Sequence, residues 1–162
     1  MTVALPQRTF AMNATAADLE QGIRPIHRLI GQYAESHRNP TNVLIHWICV
    51  PIIVWCSIAL VFAIHPWLAY AGCLAALGWY LRLSVPMALV MAAFAAASLG
   101  SMAVVPKPLW VAAVLFVVTW IAQFYGHHVE GKKPSFLEDL SFLLVGPLFL
   151  LAKAFRRFGL RF

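Results

Sequence analysis

The chain has 162 residues, of which 62% are hydrophobic and only 11% are charged. Its mean hydropathy of +0.78 excludes an ordinary soluble domain, in which about 25% of residues are charged. A net charge of +6 would suit nucleic acid, but the basic residues stand between or beside apolar runs, as in membrane proteins. We therefore predict an integral membrane protein with one folded domain and no nucleic-acid partner.

The N-terminal part divides into a tail and an amphipathic helix. Residues 1–17 are rich in Ala and Thr without a periodic pattern, which predicts a loose tail. Apolar residues then recur at spacings of 4, 3, 4 and 3, as in a helix lying on a membrane or on other helices. They are Leu19, Ile23, Ile26, Ile30 and Tyr33. Pro25 limits the secure part to Pro25 through about His37, and His37 falls on the same inward face.

The first long apolar run follows Asn39-Pro40. Asn caps free N–H groups at helix starts, and Pro fits the first helical position. The run from Thr41 to about Ile64 is long enough to cross roughly 30 Å of hydrocarbon. His46 lies about one turn inside this predicted span, on the same face as Asn42.

Four further apolar runs follow. Trp67–Leu81, Ser84–Met102 and Leu109–Tyr125 predict three more spans. The last run, Phe136–Ala152, is interrupted by Gly146-Pro147 and followed by basic residues. The three cysteines lie within apolar runs and form no CxxC pair, so we predict small buried hydrophobes.

The basic residues predict the orientation of these runs. Lys and Arg are enriched in cytoplasmic loops, so Arg24, Arg28 and Arg38 put the N-terminus in the cytoplasm. A broken or re-entrant last run keeps the basic C-terminal tail there too. The predicted fold is an all-α membrane bundle of about four transmembrane helices, an N-terminal amphipathic helix and a broken C-terminal segment. It forms one domain over residues 18–155, with a tail over 156–162; five spans is the alternative.

In this topology, four histidines converge at the cytoplasmic interface. They are His37, His46, His127 and His128. Neutral imidazole is a common ligand of Zn, Fe, Cu and Ni, so the set suggests a metal site. Interfacial histidines satisfied by water or backbone are the alternative. His127 and His128 point about 100° apart on a helix, so both can bind one metal only if the helix ends there, as Gly126 and Gly131 allow.

Acidic residues stand close to this histidine set. On a helix that continues through the pair, Glu130 shares a face with His127, as does Gln123 on the preceding turn. Glu130 is a candidate metal ligand, a candidate acceptor for a ligand's N–H group, or a base. Glu138 and Asp139 either favour the N-terminal dipole of the last run or complete the site.

Other polar residues suggest contacts with lipid or substrate. Asn42 is placed to hydrogen-bond a ligand or substrate, or to join two helices. Arg38, Lys132 and Lys133 are predicted to meet lipid phosphates or to hold a substrate carboxylate. The chain has no G-x-S-x-G elbow, phosphate-binding Gly-rich loop or H-E-x-x-H helix, which excludes the enzyme classes that depend on them.

Two stretches together resemble a known family. They are Tyr33-Ala-Glu-Ser-His-Arg-Asn-Pro-Thr-Asn-Val-Leu-Ile-His46 through Pro51, and Gln123-Phe-Tyr-Gly-His127 through Glu130, Pro134 and Gly146-Pro147. The pattern is similar to the small multi-span membrane proteins typified by the fungal 2-hydroxy fatty acid dioxygenase of the endoplasmic reticulum. It covers roughly residues 25–155. The spacing of His127 to Glu130 differs by one from the eukaryotic form.

This resemblance implies an Fe(II)-dependent alpha-oxidation in which a long-chain 2-hydroxy fatty acid reacts with O2 and becomes one carbon shorter. The family's metal-binding histidines correspond to His37, His46 and His127. His128, at a position where many relatives have another residue, is a fourth candidate. From the residues, we predict Glu130 and Asn42 as catalytic residues. The predicted substrate-binding residues are Arg38, Lys132, Lys133 and Tyr33. The resemblance places the chain among multi-pass proteins of the bacterial inner membrane or the endoplasmic reticulum.

Two other classes of function remain open from the residues. A zinc-dependent membrane hydrolase of lipid amides or esters would use similar ligands. A non-catalytic protein that binds lipid would hold no metal. The pattern sets no oligomeric state.

Overall fold

The computed structural model describes residues 24–105, 108–134 and 141–162. These residues form six helices and no strand: α1 Pro25–Ala34, α2 Pro40–Ile64, α3 Pro66–Leu83, α4 Val85–Ser101, α5 Pro108–Glu130 and α6 Phe142–Arg157. The predicted all-α class is therefore confirmed. The predicted N-terminal tail, Lys107, Glu138 and Asp139 lie outside the described residues.

Capping side chains set the starts of the apolar helices. The Asn39 side chain accepts the N–H of Thr41 at 2.9 Å, as predicted for the start of α2. The His65 and Ser84 side chains cap α3 and α4 in the same way. Each of these helices has Pro in its first turn, where the missing N–H is not needed. Single residues join α2 to α3 and α3 to α4. The helices of each of these two pairs therefore run antiparallel.

The first helix is shorter than its periodicity predicts. It ends at Ala34 instead of about His37. The next three N–H groups, those of Glu35, Ser36 and His37, each donate to the carbonyl three residues earlier, which tightens and stops the helix. His37 consequently lies in the turn between α1 and α2.

The fifth helix is longer than expected, because it continues past Tyr125 to Glu130. It stops at Gly131, which has φ 71°. There the N–H groups of Lys132 and Gly131 donate to the carbonyls of His127 and His128 at 3.2 and 3.1 Å. This is a Schellman ending, which favours glycine at the left-handed position. The histidine pair therefore lies within a helix.

The sixth helix corrects the prediction of a broken C-terminal segment. α6 is continuous from Phe142 to Arg157 and includes Gly146 and Pro147. It packs against α1 and α2 and contributes Val145, Leu148 and other buried residues to the main core. The residues after it also return to the start of α1, since the Arg24 guanidinium donates to the main-chain oxygen of Phe162 at 2.6 Å.

Two of the helices have the length and composition needed to cross a membrane. They are α2, with 25 residues, and α5, with 23 residues. α4 is apolar but has 17 residues. The long helices α2 and α5 pack against each other more extensively than any other pair of described elements. The end of α5 is thereby held against the start of α2, where the histidines lie.

Candidate metal centre

Three histidines from separate segments meet at this end of the bundle. His37 comes from the turn after α1, His46 from the second turn of α2, and His127 from the last turn of α5. Their side chains are 3%, 2% and 5% exposed. One ring nitrogen from each lies within 4.8 Å of the other two. The convergence predicted for these three residues is therefore present.

Backbone carbonyls fix the tautomers of two of these rings. The Nδ1 atom of His37 lies 2.6 Å from the carbonyl oxygen of Tyr33, and that of His46 lies 2.8 Å from the carbonyl oxygen of Asn42. A carbonyl oxygen can only accept. Each neutral ring therefore donates through Nδ1–H and carries a lone pair on Nε2.

The two lone pairs face each other. The Nε2 atoms of His37 and His46 are 2.9 Å apart, which is repulsive unless a proton or cation lies between them. Burial lowers the pKa of His37 to about 3, so a proton is not retained near pH 7. Metal–imidazole bonds are about 2.0–2.1 Å long, which puts two nitrogens on one ion about 3 Å apart at a right angle. The pair therefore fits a shared metal ion.

His127 offers the third nitrogen donor. Its ring centroid lies 5.0 Å from that of His37 and 5.2 Å from that of His46. Its Nδ1 atom is buried and has no hydrogen-bond partner among the described residues. An unpaired buried nitrogen costs free energy, and a metal ligand bond would satisfy it. Three neutral imidazoles form a donor set suited to Zn, Fe, Cu or Ni.

Aromatic rings hold the His37 imidazole in place. The Tyr33 ring stacks on it at 3.9 Å and 8°, and the Phe149 ring of α6 lies 5.5 Å away. Tyr33 was expected at the site as a substrate-binding residue. Phe149 was not, because an apolar residue in an apolar run carries no pattern that distinguishes a site wall from ordinary core.

Glu130 holds the turn that carries His37. Its carboxylate accepts from the backbone N–H groups of Arg38 at 2.9 Å and Asn39 at 2.8 Å. It also accepts from the Asn42 side-chain amide at 3.2 Å. The same amide donates to the carbonyl oxygen of Ser36. Glu130 and Asn42 thus tie the α1–α2 turn to the end of α5.

Gly126 allows α2 and α5 to approach closely beside the histidines. A Cβ added there would lie 2.5 Å from the Asn42 Oδ1 atom and 3.3 Å from the Ile45 Cδ1 atom. The sequence suggested that this glycine lets the helix end at the histidine pair. Its role in the structure is close packing within a continuous helix.

The remaining predicted site residues have exposed side chains, unlike the three buried histidines. His128 is exposed, because adjacent residues on a continuous helix point about 100° apart. The Arg38, Lys132 and Lys133 side chains are also exposed. They lie in the segments that flank the site, after α1 and after α5.

A small cavity of about 50 Å³ opens beside the histidines. His46, His127, Tyr33 and Gln123 are among its lining residues. Gln123 is 7% exposed, and its Oε1 atom has no hydrogen-bond partner within the described part of the chain. The cavity therefore brings the histidine group together with an unsatisfied amide oxygen. Such a lining suits a small polar group.

Comparison with known proteins agrees with the resemblance seen in the motifs. No curated protein and no solved structure matches the chain. The family model described as 2-hydroxy-palmitic acid dioxygenase Mpo1-like matches residues 23–158. This match includes all six helices and the three buried histidines. The chain therefore belongs to the 2-hydroxy-palmitic acid dioxygenase Mpo1-like family.

Proposed function

We propose that this protein is an iron-dependent dioxygenase that cleaves long-chain 2-hydroxy fatty acids with O2, giving the fatty acid one carbon shorter. Membership of the family supports the reaction class. The observation that carries the proposal is the 2.9 Å separation of the His37 and His46 Nε2 atoms. With both Nδ1 atoms held by carbonyls, this arrangement fits a bound cation.

In this proposal, His37, His46 and His127 hold the iron. Iron supplies the one-electron chemistry that reaction with O2 requires. Three protein ligands leave the ion accessible to substrate, unlike a closed structural site. A 2-hydroxy acid offers a hydroxyl and a carboxylate oxygen as further ligands.

The other residues of the site position these ligands and the substrate. The carbonyl oxygens of Tyr33 and Asn42 orient the rings of His37 and His46. Because the Glu130 carboxylate already accepts three hydrogen bonds, we assign it to positioning the turn and not to proton transfer. Gln123, buried beside His127, is suited to hydrogen-bond the polar head of the substrate.

Exposed basic residues are proposed to guide the substrate. The Arg38, Lys132 and Lys133 side chains are exposed and follow the elements that carry His37 and His127. Ammonium and guanidinium groups attract carboxylates and lipid phosphates. We propose that they draw the fatty acid carboxylate toward the site from the membrane surface.

We also propose that α2 to α5 form the membrane-embedded bundle, with both termini in the cytoplasm. The positive-inside distribution of Arg and Lys supports this orientation. Large apolar side chains are exposed on α3 and α4 as well as on the two longest helices; examples are Trp67 at 74% and Leu89 at 64%. The histidine group then lies at the cytoplasmic interface, with the apolar helices beyond it.

The test is purification without O2, followed by metal quantification and O2 uptake with 2-hydroxypalmitate. We expect about one iron per chain and O2 consumption matched by the fatty acid one carbon shorter. Bound zinc, no O2 uptake and hydrolysis of a lipid amide or ester would instead indicate a zinc hydrolase. Protein without a transition metal after gentle purification would indicate a non-catalytic lipid-binding protein.

A further inference from the structure

An apolar groove runs between α2, α3, α4 and α5 and is also lined by the start of α6. Its volume is about 360 Å³, within the range of roughly 300–1,000 Å³ that is common for small-molecule sites. Two hydroxyl groups in its lining are turned to backbone carbonyls: Ser57 Oγ donates to Ile53 at 2.8 Å, and Tyr80 Oη donates to Leu144 at 3.1 Å. No charged side chain of the described residues lines it. The groove therefore suits an apolar occupant.

The groove adjoins the cavity at the histidines. Ile53, Val54, Trp120 and Leu143 line both spaces. A molecule whose head group lay at His46 and His127 would therefore meet the groove at these four residues. This adjacency distinguishes the groove from an apolar surface that only faces membrane lipid.

The groove also reaches far from the histidines. On α2 its lining residues extend to Val61, fifteen positions beyond His46, and this stretch of helix rises roughly 22 Å. α3 returns alongside α2 from His65, so residues equally distant from His65 lie at similar levels. Gly72 is therefore near the level of Ile58, roughly 18 Å along the helix from His46.

We propose that this groove binds the alkyl chain of the substrate and that Gly72 sets the space available to its distal part. The identity of the substrate head group rests on the proposed function; the assignment of the groove rests on the four lining residues that it shares with the histidine cavity. Gly72 lines the groove, and a Cβ added there would meet no atom within 4 Å. A Cβ at this position therefore finds open space, and we expect a larger side chain there to extend into the groove.

The first test compares Gly72→Leu with Gly78→Leu. Gly78 lies in the same helix, a Cβ there would also meet no atom within 4 Å, and it does not line the groove. We expect Gly72→Leu to lower kcat/KM for 2-hydroxypalmitate by about tenfold or more, as misfit in an apolar pocket does. The same substitution should leave kcat/KM for 2-hydroxyoctanoate unchanged. Gly78→Leu should change kcat/KM for neither acid. Equal effects of Gly72→Leu on both acids, or no effect, would overturn the proposal.

A second test does not depend on turnover. Cys73 lines the groove and is half-buried, whereas Cys49 and Cys56 are buried and serve as internal references. We expect 2-hydroxypalmitate to slow alkylation of Cys73 by N-ethylmaleimide in membranes, measured by mass spectrometry, and 2-hydroxyoctanoate not to do so.

The controls of this second test separate the possible occupants. Equal protection of Cys73 by methyl palmitate, which lacks the 2-hydroxy acid head group, would assign the groove to membrane lipid and overturn the proposal. Failure of 2-hydroxypalmitate to protect Cys73 would also overturn the proposal. If 2-hydroxypalmitate alone protects Cys73 but neither acid is oxidised, the proposed reaction is wrong. The proposed binding site for the alkyl chain is then still supported.

Discussion

At the scale of single residues, two adjacent histidines differ in their surroundings. The His127 ring lies among buried groups and faces His37 and His46, whereas His128 is exposed. We predict that His127→Ala abolishes stoichiometric metal binding and O2 uptake, since it removes one of three ligands. His128→Ala, a matched change one position away, should retain both. Metal quantification on the two purified variants checks this. Loss of metal in His128→Ala with retention in His127→Ala would contradict the assignment.

Glu130 provides a second prediction at this scale. Its carboxylate accepts three hydrogen bonds from the turn and from Asn42, so Glu130→Ala should loosen the segment that carries His37. Loss of a group that orients a ligand typically lowers metal affinity about 10–100-fold. We expect a fall in this range for Glu130→Ala and a smaller one for Glu130→Gln, which keeps one carbonyl oxygen as an acceptor.

The comparison of metal affinity with turnover distinguishes positioning from catalysis by Glu130. If Glu130 only positions the turn, both variants regain turnover when the metal is supplied in excess. If Glu130 is instead the base of the reaction, Glu130→Gln keeps its metal and loses kcat. Titration of the metal against turnover in the two variants separates these outcomes.

At the scale of elements, the contact between α2 and α5 depends on one glycine. A Cβ at Gly126 would lie 2.5 Å from the Asn42 Oδ1 atom, and the Asn42 amide is held by Ser36 and Glu130. Gly126→Ala should therefore force the helices apart and destabilise the fold by about 1–3 kcal/mol, as overpacking does. Metal retention should fall as well. Thermal unfolding in detergent and metal quantification measure the two effects.

Gly100→Ala is the control for that substitution. A Cβ at Gly100 would meet no atom within 4 Å, and Ala is favoured over Gly within helices by up to about 1 kcal/mol. This variant should be as stable as the parent or slightly more so. A Gly126→Ala protein with unchanged unfolding temperature would show that α2 and α5 adjust to the added methyl group.

The same elements show which features local sequence predicts. Asn39-Pro40 marks the start of α2 correctly, because capping depends on two or three neighbouring residues. The end of α5 was less predictable, because both Gly126 and Gly131 are candidates and only tertiary contacts distinguish them. Gly126 packs against Asn42 on α2, while Gly131 adopts the left-handed φ that ends the helix.

At the scale of the whole molecule, hydrophobic patterning and topology predicted that four histidines would converge, and three of them meet in the structure. The same patterning and topology did not predict that α6 would cover the site. Gly146-Pro147 is typical of a break, yet α6 continues through it because its buried residues pack against α1 and α2. Such long-range packing has no local signal. The wall that α6 provides, including Phe149, therefore required the structure.

The orientation of the molecule gives the last prediction. The positive-inside rule puts His65 outside and Arg82 and Lys133 in the cytoplasm, and all three side chains are exposed. Single cysteines at these positions, in a chain whose three native cysteines are replaced by Ala, are treated with a membrane-impermeant maleimide in right-side-out vesicles. We expect His65→Cys to react at once, and Arg82→Cys and Lys133→Cys to react only after permeabilisation. Arg161→Cys distinguishes four spans from five. With four spans it lies in the cytoplasm and reacts only after permeabilisation, as Lys133→Cys does. With five spans it lies outside and reacts at once. External reaction of Lys133→Cys would place the histidine group on the other side of the membrane and contradict the predicted orientation.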